Sequence, residues 1–203
     1  MNVFRRATDR LLELPIVYRT WQAPFAASKL RPFLSRVDVN ILRRVLDVGC
    51  GPGTNAPIFK DIDYVGIDIN PDYIGTAARR HRGRFIVGDV ADGAVLPNER
   101  FDCVFANSLM HHLDDDVVRG LLRRMACLTT PDGSVHVLDL VLPPRASAAR
   151  ALARLDRGRS ARPLGTWRNL FAEHLRETHF EPYSFGLPGL PLWQMVYFVG
   201  VPR

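Results

Sequence analysis

The feature that most constrains this chain is a strand-like run that ends in an acid and continues into closely spaced glycines. Residues 44–54 read RVLDVGCGPGT, in which Asp47 precedes glycine at every second position, at Gly49, Gly51 and Gly53. Glycine adopts positive φ without steric cost and lets a ligand approach the main chain closely. The start of a following helix would add free N–H groups and a positive dipole end. The segment therefore predicts a strand, a ligand-binding loop and a helix.

The spacing of these glycines indicates what kind of ligand the loop accepts. A dinucleotide-binding loop follows the pattern G-x-G-x-x-G, whereas the third glycine here comes one residue earlier. Pro52 also removes one N–H group from the loop. These differences favour an amino-acid zwitterion, with its carboxylate on the N–H groups and its ammonium near Asp47. The alternative is an ordinary tight turn between a strand and a helix.

Short apolar runs alternate with helical segments through the centre of the chain. Predicted strands cover 44–48, 64–69, 85–89, 101–106 and 134–140, and predicted helices cover 55–60, 71–81 and 115–128. This alternation predicts a parallel sheet with helices on both faces. The last third adds predicted helices over 146–157 and 167–178 and a hairpin with strands 182–185 and 194–199. A hairpin added to a parallel sheet makes its edge antiparallel.

Length and composition agree with a single folded domain. The 203 residues are 47% hydrophobic and 24% charged, which excludes a disordered or collagen-like chain. No stretch approaches the roughly 18–20 uncharged apolar residues of a membrane span. Charged residues occupy the N-terminal segment where a signal peptide would need an apolar run, so we expect a cytoplasmic protein.

Charge and cysteine content narrow the possible partners and compartments. A net charge of +6 is compatible with nucleic acid or anionic lipid as a partner. Lys29 and Lys60 are the only lysines among 27 basic residues, and such an arginine preference also arises from genome composition. The three cysteines lack C-x-x-C spacing, so neither a disulfide framework nor a zinc site is expected. Cys103 and Cys127 are predicted to be buried thiols.

The first 40 residues form a separate predicted unit. Apolar residues recur at three- and four-residue steps over residues 3–14, which predicts a helix, and Pro32 marks a predicted turn. We expect this N-terminal helical arm, residues 1–40, to pack on the domain of residues 41–203 or to cover a site as a lid.

Two further acids follow predicted strands and suit the rest of a nucleoside-like ligand. Asp68 ends the second strand and can accept two hydrogen bonds from ribose hydroxyls, although with Asn70 it is also a helix N-cap candidate. Asp89 follows Gly88 at the end of the third strand, where open α/β sheets bind ligands. It could accept from an exocyclic amine, or it could be an ordinary turn residue.

Together these motifs resemble the class I S-adenosylmethionine-dependent methyltransferases. The resemblance covers residues 44–141 and includes the glycine loop, the acidic end of the second strand, Gly88-Asp89 and the segment Phe101–Asn107. It implies a Rossmann-like α/β fold: a seven-stranded, mostly parallel sheet with an antiparallel last strand and helices on both faces. It also implies S-adenosylmethionine as cofactor.

The resemblance also implies a role for each matching position. Asp47, Gly49, Cys50, Gly51 and Gly53 would surround the methionine part of the cofactor. Asp68 would hold the ribose, and Ile69 would lie against the adenine. Asp89 and Val90 would bind the adenine edge, and Asn107 would lie near the sulfonium.

The segment after the fourth strand bears on the methyl acceptor. Methyltransferases that act on nucleic-acid amino groups typically carry Asn/Asp-Pro-Pro-Tyr/Phe there, whereas this chain has Asn107-Ser-Leu-Met-His-His. The segment resembles small-molecule methyltransferases, so we expect an O, C or N nucleophile of a secondary metabolite or quinone-like precursor. Nucleic acid is disfavoured as a partner. An RNA or DNA methyltransferase and a non-catalytic binding module remain the alternatives, and the protein is expected to be a monomer or homodimer.

His111 and His112 lie where the resemblance puts the acceptor. A histidine that titrates near neutrality could remove an acceptor proton, although such a pair also packs locally and transfer can proceed by positioning alone. No metal is predicted, because the acids at 114–116 that follow are suited to starting a helix.

Arginines and the N-terminal arm supply the remaining candidates for binding the substrate. Seven arginines between 145 and 168 could select an anionic substrate, with Arg159 and Arg162 in a loop-like segment, or they could form a solvated face. Tyr18 and Arg19 in the arm could reach the cofactor carboxylate or the acceptor.

Overall fold

The computed structural model describes residues 25–156 and 160–203, which contain one seven-stranded sheet. The strands are β1 (Arg44–Val48), β2 (Asp63–Asp68), β3 (Arg84–Val87), β4 (Phe101–Asn107), β5 (Thr129–Leu140), β6 (Leu175–Leu187) and β7 (Leu190–Pro202). The helices are α1 (Ala26–Arg36), α2 (Pro71–Arg80), α3 (Asp115–Leu128), α4 (Ala148–Leu155) and α5 (Leu164–His174). No helix in these two ranges is long and apolar enough to cross a membrane.

The strand order is β3-β2-β1-β4-β5-β7-β6. Strands β1 to β5 are parallel to their neighbours within that group, whereas β7 runs antiparallel to both β5 and β6. The predicted α/β fold, mostly parallel with an antiparallel last strand, is confirmed. This order puts the carboxyl ends of β1, β2, β4 and β5 at one edge of the sheet, where ligands of open α/β sheets bind.

Both faces of the sheet are buried. Because alternate residues of a strand point to opposite faces, one strand contributes side chains to both. On one face Leu46 belongs to a cluster that also contains Trp167, Phe171 and Phe198. On the other face Val45 belongs to a cluster rich in aromatic rings. The core therefore lies in two layers, and β1 contributes to both.

Helix α1 differs from the prediction for this segment. Pro32 was predicted to mark a turn, but it lies inside α1. The neighbouring Phe33 is fully buried, with its ring centroid 4.9 Å from that of Phe105 and 5.9 Å from that of Phe59. Burial of this ring offsets the roughly 3 kcal/mol that an internal proline costs a helix. The predicted helix over residues 3–14 lies outside the described residues, and the division at residue 40 stays a prediction.

Two helices begin where their capping residues predict, whereas strand pairing moves the end of another helix away from its predicted position. Asn70 and Asp114 cap α2 and α3 through their side chains, close to the predicted starts. The predicted helix over 55–60 is only a 3₁₀ turn at Ala56–Phe59. The helix predicted over 167–178 is α5, which ends at His174 because β6 begins there and pairs with β7. Cys103 is buried as predicted, whereas Cys127 on α3 is exposed.

Candidate functional site

The loop after β1 has the backbone that its glycines predict. Gly49, Gly51 and Gly53 have φ values of 69°, 54° and 81°, in the region where only glycine is free of strain. A Cβ atom on Gly51 would meet nothing within 4 Å, so the main chain there faces open space. A Cβ atom on Gly49 would lie 2.7 Å from Leu109 Cδ1, so the segment after β4 packs directly on this loop.

Asp47 places a fully buried carboxylate under the glycine loop. One of its oxygens accepts hydrogen bonds from Tyr64 Oη at 2.7 Å and Asn55 Nδ2 at 3.1 Å. The other oxygen, Oδ1, has no hydrogen-bond partner among the described residues. Burial raises the pKa of Asp47 to about 7, with the two hydrogen bonds opposing the shift and the charge of Asp68 adding to it. A buried acceptor with a free oxygen fits a ligand that brings a hydrogen-bond donor or a positive charge.

Asp68 connects the end of β2 to the glycine loop. Its Oδ2 accepts from the Gly51 N–H at 2.9 Å, and its Oδ1 accepts from the Asn70 N–H at 2.8 Å. A carboxylate has about four acceptor positions, so both oxygens can accept further hydrogen bonds from hydroxyl groups. Ile69 follows with its side chain 74% exposed, an apolar surface beside this carboxylate.

Asp89 and Val90 lie in the loop after β3, the strand next to β2. Asp89 is exposed, and its Oδ1 accepts from the Ala91 N–H at 2.9 Å in a local turn. Val90 is buried in the core cluster that also holds Ile67 of β2. Asp89 therefore presents a carboxylate at the edge of the sheet that carries Asp68, whereas the Val90 side chain packs into the core.

Asn107 is connected to Asp47 through a residue that sequence analysis missed. The Asn107 side chain donates to Asn55 Oδ1 at 3.2 Å, and Asn55 donates in turn to Asp47. Asn55 is buried and comes two residues after Gly53 in the sequence. A polar residue at this position next to the glycine loop is the sequence feature that could have identified it. This chain of amides fixes the end of β4 relative to the end of β1.

Cys50 is in the glycine loop, but its thiol is directed into the core. A Cβ atom on Gly66 of β2 would lie 2.8 Å from the Cys50 Sγ, and the side chain is buried. Burial raises the pKa of the thiol far above its usual range. Only the main chain of this residue is available to a ligand in the loop.

His111 is held between two acids that come from distant parts of the sequence. It is 4% exposed, with Nδ1 at 2.6 Å from Asp139 Oδ1 and Nε2 at 3.4 Å from Asp156 Oδ1. Burial lowers the pKa of this histidine, but the charges and hydrogen bonds of Asp139 and Asp156 outweigh burial and raise it to about 9. A raised pKa disfavours the neutral ring that a proton acceptor needs, and the role of His111 and His112 in proton removal stays a prediction. His112 is exposed, with its ring centroid 4.0 Å from that of His111.

Arg162 makes internal contacts rather than pointing to solvent. The side chain is 5% exposed, and its guanidinium donates to the carbonyls of Met110, Leu113 and Ser160 and to Asp115. It holds the segment between β4 and α3. These contacts use four of the five N–H groups of the guanidinium. If Arg162 binds the substrate, as predicted, it would do so through the fifth N–H group. Tyr18, Arg19 and Arg159 lie outside the described residues.

Comparisons with known proteins agree with this geometry. Residues 45–133 match the sequence model of a methyltransferase domain family. An uncharacterized methyltransferase of Mycobacterium tuberculosis is 38% identical over 49% of this chain and 51% of its own length. The trans-aconitate 2-methyltransferase of Methylobacterium radiotolerans is 31% identical over 64% of this chain and 52% of its own length. The chain thus spans about half the length of the curated relatives that it matches.

A similar fold is also present among solved structures. The structure of the mitomycin 7-O-methyltransferase MmcR superposes with a TM-score of 0.69, over 93% of this chain and 58% of that one. The two sequences are 19% identical, so this likeness concerns the fold alone.

Proposed function

We propose that this chain, whose residues 45–133 match a methyltransferase domain family, transfers a methyl group from S-adenosylmethionine to an O, C or N nucleophile of a small molecule. The observation that carries the proposal is the free buried oxygen of Asp47 beneath a loop of positive-φ glycines. A ligand with both a carboxylate and an ammonium, such as the methionine part of this cofactor, complements the N–H groups and the acid together.

The remaining contacts of the cofactor follow from the strand ends. Asp68 would accept hydrogen bonds from both ribose hydroxyls while keeping its bond to the Gly51 N–H. The exposed Ile69 side chain would cover one face of the adenine. Asp89 would accept from the adenine amine, with Val90 alongside. These groups extend in order from β1 to β3, which suits an extended nucleoside.

When bound, the cofactor supplies an electrophilic methyl group on a sulfonium. The contribution of the chain is to orient the two reactants and exclude water. Asn107 is suited to this task because the amide chain through Asn55 fixes its side chain near the glycine loop. Leu109 packs over Gly49 and would shield the reacting end of the site from solvent.

The acceptor would lie beyond the carboxyl ends of β4 and β5. An open groove of about 200 Å³ lies at this edge, and its lining mixes apolar side chains with polar ones: Val141, Leu164, Met195, Tyr183, Ser184 and Gln194. Its size suits part of a small organic molecule rather than a nucleic-acid strand. The relative named for trans-aconitate supports an acceptor that is small and anionic.

Calorimetric titration with S-adenosylhomocysteine tests the cofactor site. We expect a dissociation constant in the micromolar range for the unaltered protein and for Asp61→Ala, an exposed acid outside the site. Asp68→Ala should abolish binding while thermal unfolding shows that the protein remains folded. Failure of the unaltered protein to bind would refute the cofactor assignment.

A second measurement tests the class of acceptor. The protein would be incubated with methyl-labelled cofactor and either a small-molecule extract or total RNA. Label in the small-molecule fraction is expected. Label in RNA instead, lost at raised salt as phosphate contacts are screened, would contradict the assignment to small molecules.

A further inference from the structure

Two histidines and one acid converge beside the end of β4. His111 and His112 form the 3₁₀ turn Met110–His112, and Asp156 caps the end of α4. One potential ligand atom from each of the three lies within 4.8 Å of the others. His111 is buried, Asp156 half-buried and His112 exposed, so the cluster is open to solvent on one side.

We propose that His111, His112 and Asp156 bind one divalent transition-metal ion. His111 Nε2 lies 3.4 Å from Asp156 Oδ1. Two ligand atoms, each about 2.1 Å from a tetrahedral ion, are separated by about 3.4 Å, so this pair is already at the required spacing. The third ligand atom, on His112, lies within 4.8 Å of these two.

The surroundings of His111 provide an independent argument. Metal-binding histidines usually donate their second ring N–H to a carboxylate or carbonyl, which orients the ring. His111 Nδ1 has this partner in Asp139, at 2.6 Å. Asp139 is itself fixed by the Met110 and Leu140 N–H groups, both at 2.7 Å. The buried acid therefore holds Nε2 towards Asp156 and the open side of the cluster.

The donor set indicates which ions this site would accept. Two imidazole nitrogens and one carboxylate oxygen suit Zn²⁺, Co²⁺, Mn²⁺ or Fe²⁺, whereas Ca²⁺ and Mg²⁺ prefer ligand sets composed of oxygen. Lys29 on α1 is a competing cation, because its charge acts on both Asp139 and Asp156. The competing interpretation is an internal ion pair between His111 and the two acids.

An ion bound by three side chains keeps an open coordination position. That position would lie at the edge of the sheet where the acceptor is proposed to bind, so an acceptor oxygen could occupy it. This consequence depends on the proposed methyl transfer. Metal binding itself does not, and it is measured without any acceptor.

The test is a titration of the chelator-treated 203-residue chain with Zn²⁺, followed by Co²⁺ as a spectroscopic probe. We expect one ion per chain and visible Co²⁺ absorption typical of a four-coordinate site. His112→Ala and Asp156→Asn should each weaken binding by more than about tenfold. His174→Ala, which alters a histidine at the end of α5, is the matched control and should bind as the unaltered protein does.

Two results would overturn the proposal: no Zn²⁺ binding by the unaltered protein, or equal binding by His112→Ala and Asp156→Asn. Binding of Mg²⁺ as tightly as Zn²⁺ would also contradict the assigned donor set. S-adenosylhomocysteine titrations of the same samples distinguish this result from failure of the cofactor site. Loss of Zn²⁺ binding with unchanged S-adenosylhomocysteine binding is the expected pattern for both ligand variants.

Discussion

Replacement of Asp47 by asparagine is expected to stabilise the protein above neutral pH and to weaken its binding of the cofactor. Asp47 is fully buried, and one of its oxygens has no hydrogen-bond partner among the described residues. An uncompensated buried carboxylate disfavours the folded state, because the unfolded chain hydrates it freely. Asparagine keeps the shape of the side chain and removes the charge.

The magnitude follows from the pKa of Asp47 in the two states. Folding raises this pKa from 3.8 to about 7. The folded state therefore favours the protonated acid. The stability that this group allows is fully present below pH 3.8 and is lost as the pH rises through about 7. At about 1.4 kcal/mol for each pH unit, the loss reaches about 4 kcal/mol, which relaxation around the site would reduce.

Urea unfolding near pH 4 and near pH 8 measures this effect. Asp47→Asn should gain up to about 4 kcal/mol relative to the unaltered protein at the higher pH and little at the lower one. Asp61→Asn, a change at an exposed acid, should show no such dependence on pH. A stability difference for Asp47→Asn that is the same at both pH values would refute the reasoning.

Binding provides a second check on the same residue. An ammonium group near Asp47 would favour the carboxylate, so S-adenosylhomocysteine should displace a proton from the protein near pH 6. Titrations in two buffers of different ionisation enthalpy detect that proton. Its absence, or its persistence in Asp47→Asn, would exclude Asp47 as the source.

Three further changes test the packing that positions the site. Arg162→Met should lower the free energy of unfolding in urea by at least about 2 kcal/mol, because buried carbonyls of the segment after β4 lose their donor. Phe33→Ala should cost about 3–5 kcal/mol in the same assay, because it leaves a cavity between α1 and the sheet. Asp114→Ala should cost about 1 kcal/mol through loss of the α3 cap, measured by thermal unfolding. Wild-type stability of any variant would contradict the contact assigned to it.

The geometry next to β1 and β2 could be predicted because the residues that form it lie close together in the sequence. The glycine spacing, Asp47 and Asp68 each act through the local backbone or through strands that are adjacent in both sequence and space. The alternation of apolar runs and helices likewise determines a parallel sheet through short-range rules. Hence the parallel central strands and the positive-φ backbone of the glycine loop could be predicted from the sequence pattern.

The other half depends on contacts between distant residues. His111 was predicted as a proton acceptor from its position alone, yet its charge depends on Asp139 and Asp156, which meet it only in the folded chain. Arg162 stays a predicted substrate-binding residue, but four of its five donors already have partners, which include carbonyls 52 and 49 residues away. Pairing with β7 likewise extends β6 into residues that have helical periodicity. Spacing along one segment does not contain this information.

Asp47 and Asp139, two buried acids at this edge of the sheet, differ in the number of hydrogen-bond donors around them. Asp139 accepts from the Met110 N–H with one oxygen and from His111 and the Leu140 N–H with the other. These partners outweigh its burial and lower its pKa, in contrast to Asp47. Asp139→Asn should therefore destabilise the protein by about 1–3 kcal/mol at pH 8, because an amide nitrogen cannot accept the bond that it replaces. Opposite signs for Asp139→Asn and Asp47→Asn in one urea assay would support this distinction, and equal signs would show that burial alone governs both acids.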